Sequence, residues 1–105
     1  MNTPVKNKQE LIERLLANRE KLLSFGITRL GIFGSFARDT ATAGSDVDFF
    51  VEMPVKYKTL ENFSDLYEFL ELITGRKIEI VTPQSLNKFI GKYIVQEVEY
   101  VPIAA

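Results

Sequence analysis

Between Lys8 and Phe25 the apolar residues Leu11, Ile12, Leu15, Leu16, Leu22 and Leu23 recur at helical spacing. The pattern predicts one amphipathic helix, stopped by Gly26. The run "ITRLGIFG" then predicts a strand ending at Gly34, followed by one or two helical turns over 35–38 and a loop "DTATAG". In "DVDFFVEM" the two-residue repeat places Val47, Phe49 and Val51 on one face of a second strand and Asp46, Asp48 and Phe50 on the other, with Pro54 ending it. Thr59 is the expected N-cap of a helix that buries Leu60, Phe63, Leu66, Tyr67, Leu70 and Ile73 and closes at Gly75. "KIEIVT" predicts a third strand. Thr82 and Pro83 open a last helix with Leu86, Phe89, Ile90, Tyr93 and Ile94 inward, and the tail "VEYVPIAA" reads equally as fraying helix or short strand.

This order predicts an α/β (α+β) fold in one domain spanning residues 1–105: a small mixed β-sheet of three or more strands packed with helices. No repeat, linker or low-complexity tract interrupts it. The chain has no cysteine and no histidine, which excludes disulfides, thiolate or imidazole metal sites and every histidine-based mechanism. A net charge of −1 argues against direct, charge-driven binding of nucleic acid. The polar N-terminus and the absence of a long apolar run predict a cytoplasmic protein with no membrane partner.

The remaining chemistry concentrates in "GSFARDTATAGSDVDFF", residues 34–50. Asp46 and Asp48 leave the same face of a strand, where two ionised carboxylates repel each other unless a charge compensates them. With only oxygen donors present, the matching partner is a hard divalent cation, Mg²⁺ before Mn²⁺. Two solvated aspartates beside a turn are the plainer alternative. Gly34 allows a close approach of the backbone to a ligand, and Ser35 offers a hydroxyl and an N–H at the start of a short helix, where anions are favoured. Arg38 would project from that helix toward phosphate oxygens.

The "GS" pair, the ten residues that follow it, and "DVD", framed by "SFAR" and "GSDVD", resemble the signature of the DNA polymerase beta-like nucleotidyltransferases. The likeness is greatest to the minimal nucleotidyltransferases, the MntA-type antitoxins paired with HEPN toxins. The resemblance implies the nucleotidyltransferase fold and transfer of a nucleoside monophosphate from an NTP, with ATP the expected donor. It assigns nucleotide binding to Gly34 and Ser35, with Arg38 and Ser45 as further candidates. Metal binding and catalysis fall on Asp46 and Asp48, for two Mg²⁺ ions acting on the acceptor oxygen and the leaving pyrophosphate. The family's third carboxylate matches Glu79, where aspartate is commoner. Asp39 stands where the family often has glycine.

The resemblance further implies a cognate HEPN-type toxin as partner, a hetero-oligomer with it, and AMP transfer to one of its tyrosines. Phe49, Phe50, Tyr57, Tyr67, Tyr93, Tyr100 and the tail "YVPIAA" are candidate interface. A weakly active or inactive antitoxin that neutralises its toxin by binding alone is the alternative, with Glu79 as its support. A small-molecule or RNA acceptor is a third reading, weakened by the missing second domain.

Overall fold

In the computed structural model, which describes residues 3–85 and 90–104 without the side chains of residues 90, 92 and 93, the N-terminal amphipathic segment forms two helices. They are α1 (Lys8–Ala17) and α2 (Arg19–Ser24), where the spacing had predicted one. Asn18 is the reason for the break: its side-chain amide donates to the Arg14 carbonyl at 2.8 Å, and its own backbone leaves helical geometry. A short amide side chain that competes for the helix's carbonyls weakens its ladder. Leu11, Leu15 and Leu22 remain on a shared buried face across the break.

The strands are β1 (Arg29–Phe33), β2 (Val47–Glu52), β3 (Ile78–Val81) and β4 (Glu99–Val101). They form one mixed sheet in the order β3-β2-β1-β4, with β2 and β3 parallel and the other neighbours antiparallel. The tail is thus a strand in its central part, paired to β1, and Val101 and Ile103 are core residues. Between the strands lie α3 (Gly34–Ala37), α4 (Leu60–Thr74) and α5 (Ile90–Glu97).

One sheet face carries Leu30, Ile32, Val47, Phe49, Val51, Ile78 and Val101, which pack with Leu11, Leu15, Leu66 and Leu70 in a single core. Burying each such side chain contributes about 1.5–3 kcal/mol. The parallel β2–α4–β3 crossover is what places α4 on this face. Thr59 caps α4 by accepting from the Asn62 N–H at 3.1 Å, and Gly75 closes it in the left-handed conformation. Leu60, expected inside, is 88% exposed, because it starts the helix before the apolar stripe reaches the core. Tyr67 is 41% exposed and lies over the sheet margin, where its hydroxyl donates to the Ile78 carbonyl at 2.8 Å.

The second sheet face is set by cross-strand partners: Phe33 opposite Asp48, Gly31 opposite Phe50 and Tyr100, and Asp48 opposite Glu79. Phe49 and Phe50 are both buried, one in each face, which removes them from the candidate interface. Tyr57 and Tyr100 stay partly exposed. Thr82 and Pro83 open a 3₁₀ turn (Pro83–Ser85) closed by the Ser85 hydroxyl, which bonds both the N–H and the carbonyl of Thr82. Leu86, Phe89 and the side chains of Ile90 and Tyr93 lie outside the described residues. Among the described residues, no helix is long and apolar enough to cross a membrane.

Candidate active site

Gly34 follows β1 and begins α3 with φ +72°, a left-handed backbone that only glycine adopts without strain. A Cβ built there would stand 2.2 Å from Asp48 Oδ2. The glycine therefore makes room for a carboxylate of the neighbouring strand, a role that its place in a Gly-Ser pair does not reveal. The antiparallel register, with Phe33 opposite Asp48, delivers Asp48 to this spot.

The parallel register then sets Glu79 beside Asp48 on the same face. Asp46, exposed and immediately before β2, is near enough to act on Asp48 electrostatically. Together these neighbours push the Asp48 carboxyl up to about 6: partial burial contributes most, then the charges of Glu79 and Asp46, then a hydrogen bond with Glu79, while Arg38 opposes the rise. Asp48 and Glu79 are thus brought to one sheet face, with Asp46 nearby just before β2. A cleft of about 350 Å³ opens beside Glu79, lined also by Phe63, Tyr67, Thr82 and Ser85.

Among the described residues, no group of three acidic side chains stands close enough to make a ready cation cage. The donor chemistry fits a divalent cation all the same. Every candidate ligand is a carboxylate, and the burial and like-charge repulsion that disfavour the ionised form of Asp48 are both offset by a hard cation.

Ser35 lies in the first turn of α3, partly exposed; its carbonyl accepts from the Thr40 N–H at 2.9 Å. Arg38 sits at the rim, ion-paired to Glu97 of α5 at 2.7 Å with both side chains well exposed. The Ser45 hydroxyl is occupied within its own loop, accepting from the Thr42 N–H at 2.8 Å. Asp39 takes the left-handed conformation (φ 57°), which explains why glycine suits this position, and its Oδ1 accepts from the Lys8 N–H at the start of α1.

One residue near the site carries no motif. Arg76, between the Gly75 stop and β3, donates to carbonyls of the loop that leads into Asp46. Its only signal in the sequence is an arginine between a helix stop and a strand.

Residues 11–103 match the nucleotidyltransferase domain family. The chain is 37% identical over 94 residues to the protein adenylyltransferase MntA of Thermococcus cleftensis, covering 88% of this chain and 94% of that protein. It is 32% identical over 94 residues to a Methanocaldococcus jannaschii protein provisionally named a protein adenylyltransferase, covering 86% and 94%. A solved structure described provisionally as a minimal nucleotidyltransferase superposes with a TM-score of 0.69 at 32% identity, over 84% of this chain and 93% of that one. The fold is also that of a chain in a toxin–antitoxin crystal structure with AMP-PNP, with a TM-score of 0.60 at 20% identity over 80% and 72%.

Proposed function

The chain belongs to the nucleotidyltransferase domain family, and from that premise we propose that it is an antitoxin that transfers AMP from ATP to a tyrosine hydroxyl of a HEPN-type toxin. The observation that carries this reading is the seating of the Asp48 carboxylate against Gly34, with Glu79 in register beside it and Asp46 acting on it. The names of the relatives support adenylyl transfer to a protein, and the toxin–antitoxin neighbour supports the class of partner.

In the proposed reaction the acceptor oxygen attacks the α-phosphorus of ATP. A phosphorus–oxygen bond to the tyrosine forms as the bond to the bridging oxygen breaks, and pyrophosphate leaves with the electron pair. Glu79 is the candidate to take the hydroxyl proton. Asp46 and Asp48, with Glu79, would hold Mg²⁺, which supplies charge neutralisation of the phosphates and a lowered acceptor pKa. Gly34 keeps the backbone of the strand-to-helix turn low enough for Asp48 and triphosphate to share one place, and Ser35 would bind phosphate oxygen through its hydroxyl. Arg38 would exchange Glu97 for a phosphate, a swap between exposed partners that costs little. Ser45 would contribute through its loop.

The test is intact mass spectrometry of the co-expressed partner, with and without ATP and Mg²⁺. A gain of AMP on the partner, abolished in the Asp46→Asn/Asp48→Asn double variant, is the expected result. Undiminished labelling in that variant defeats the site assignment. Neutralisation of the toxin that persists without any labelling favours an antitoxin acting by docking alone.

A further inference from the structure

Arg76 is half-buried, and its guanidinium is committed to backbone carbonyls in two separate segments. Nε donates to Val5 O at 2.7 Å, and Nη1 is shared among Thr42 O at 3.0 Å, Ala43 O at 3.3 Å and Ser45 O at 2.8 Å. The guanidinium carbon lies 5.0 Å from the centre of the Phe36 ring, the buried aromatic of α3. Among the described residues no carboxylate forms an ion pair with it.

The loop it grips is anchored at its flanks, by Ala41 packed on the core and by the Val47 N–H bonded to the Lys77 carbonyl at 3.0 Å, while residues 42–45 themselves have few other long-range contacts. Thr42, Ala43 and Gly44 are exposed, and a Cβ added at Gly44 would meet nothing within 4 Å. The loop's own bonds are a small turn, Ser45 N–H to Thr42 O at 3.1 Å and Thr42 N–H to Ser45 Oγ at 2.8 Å. Its next residue is Asp46. The same guanidinium that stacks on α3, the helix begun by Gly34 and Ser35, therefore fixes the end of the loop from which Asp46 projects.

We infer that Arg76 is a positioning residue for the nucleotide site, holding the 42–45 loop against α3 so that Asp46 stands ready beside Asp48. The inference rests on the nucleotide-binding reading of that site. Arginine suits it: a planar, rigid fork reaches carbonyls in two segments while lying over a ring, whereas lysine offers a compact ammonium without that fixed geometry.

Arg76→Lys and Arg76→Gln in the full chain test this with two readouts that do not depend on any acceptor protein. The first is hydrogen exchange of the metal-free protein at the Thr42 and Ser45 amides, with β1 and β2 amides as internal reference. The second is the dissociation constant of Mg·ATP by calorimetry. Both loop amides are expected to exchange at least about tenfold faster with the sheet unchanged, and the Mg·ATP dissociation constant to rise about 10-fold or more, as for groups behind metal ligands. Loop amides at wild-type rates overturn the inference, as does a loosened loop with unchanged affinity. Loss of sheet protection in both variants also overturns it, since Arg76 would then only support the fold; where Arg76→Gln alone loosens the sheet, Arg76→Lys decides. A wild-type chain that binds no Mg·ATP sinks the nucleotide reading instead, and the exchange measurement still shows whether Arg76 holds the loop.

Discussion

Replacing Asp48 by asparagine should make the metal-free protein more stable at neutral pH while removing its chemistry. The Asp48 carboxyl rises from an ordinary 3.8 to about 6, through burial first and then the charges of Glu79 and Asp46. A folded state that binds a proton more tightly than the unfolded chain gains stability at low pH. That gain is complete below about 4 and is lost as the pH climbs through about 6. Above that, the folded protein carries an ionised carboxylate it disfavours. At about 1.4 kcal/mol for each pH unit the rise corresponds to about 3 kcal/mol. Solvent reaches this carboxylate, so about 1–2 kcal/mol is the realistic share.

Asparagine keeps the shape and drops the charge, so Asp48→Asn should recover that share at pH 7.5 and nothing at pH 4. For a domain near this size about 1 kcal/mol moves the melting temperature by about 4–8 °C. Urea and thermal unfolding in chelator, from pH 4 to pH 8, measure the difference. Adding Mg²⁺ should then stabilise the wild type and leave the variant unchanged. A variant less stable than wild type at pH 7.5, or a difference that ignores pH, would refute the picture of an uncompensated carboxylate cluster.

Two further substitutions probe the same place. Gly34→Ala puts a methyl 2.2 Å from Asp48 Oδ2 on a left-handed backbone; the backbone alone should cost about 1–2 kcal/mol, and AMP transfer should fall with it, so a fully active Gly34→Ala would show that Asp48 need not sit there. Glu79→Gln should lower transfer by at least the roughly 10- to 100-fold that losing a group behind a metal ligand costs, with Glu79→Asp retaining activity; equal rates for Glu79→Gln and wild type in a single-turnover assay would remove Glu79 from the site.

The buried face of most helix and strand positions is legible because helix and strand repeats are properties of a few consecutive residues. Thr59 and Gly75 marked the ends of α4 by their own chemistry, and Val47, Phe49 and Val51 declared a buried face. The break at Asn18 is not legible in the spacing because one side chain's bond to Arg14 O outweighs an otherwise continuous apolar stripe. The burial of Phe50 is not legible because Tyr100 of β4 packs beside it on the second sheet face, which no alternation within β2 can reveal.

What the sequence by itself determined is the set of groups: an oxygen-only donor chemistry, a Gly-Ser turn after a strand, and two aspartates on one strand face. Only the tertiary structure decided how they meet. Asp48 reaches Gly34 through the antiparallel β1–β2 register, and Glu79 reaches Asp48 through the parallel β2–β3 register. Arg76 joins the loop before Asp46 across 31 residues of chain and Val5 across 71. Register and long-range contacts are chosen by how the whole core packs, because sliding a strand by one residue exchanges its buried and open faces. That global choice brings Asp48, Glu79 and the Arg76-bound loop before Asp46 into neighbouring places in the fold.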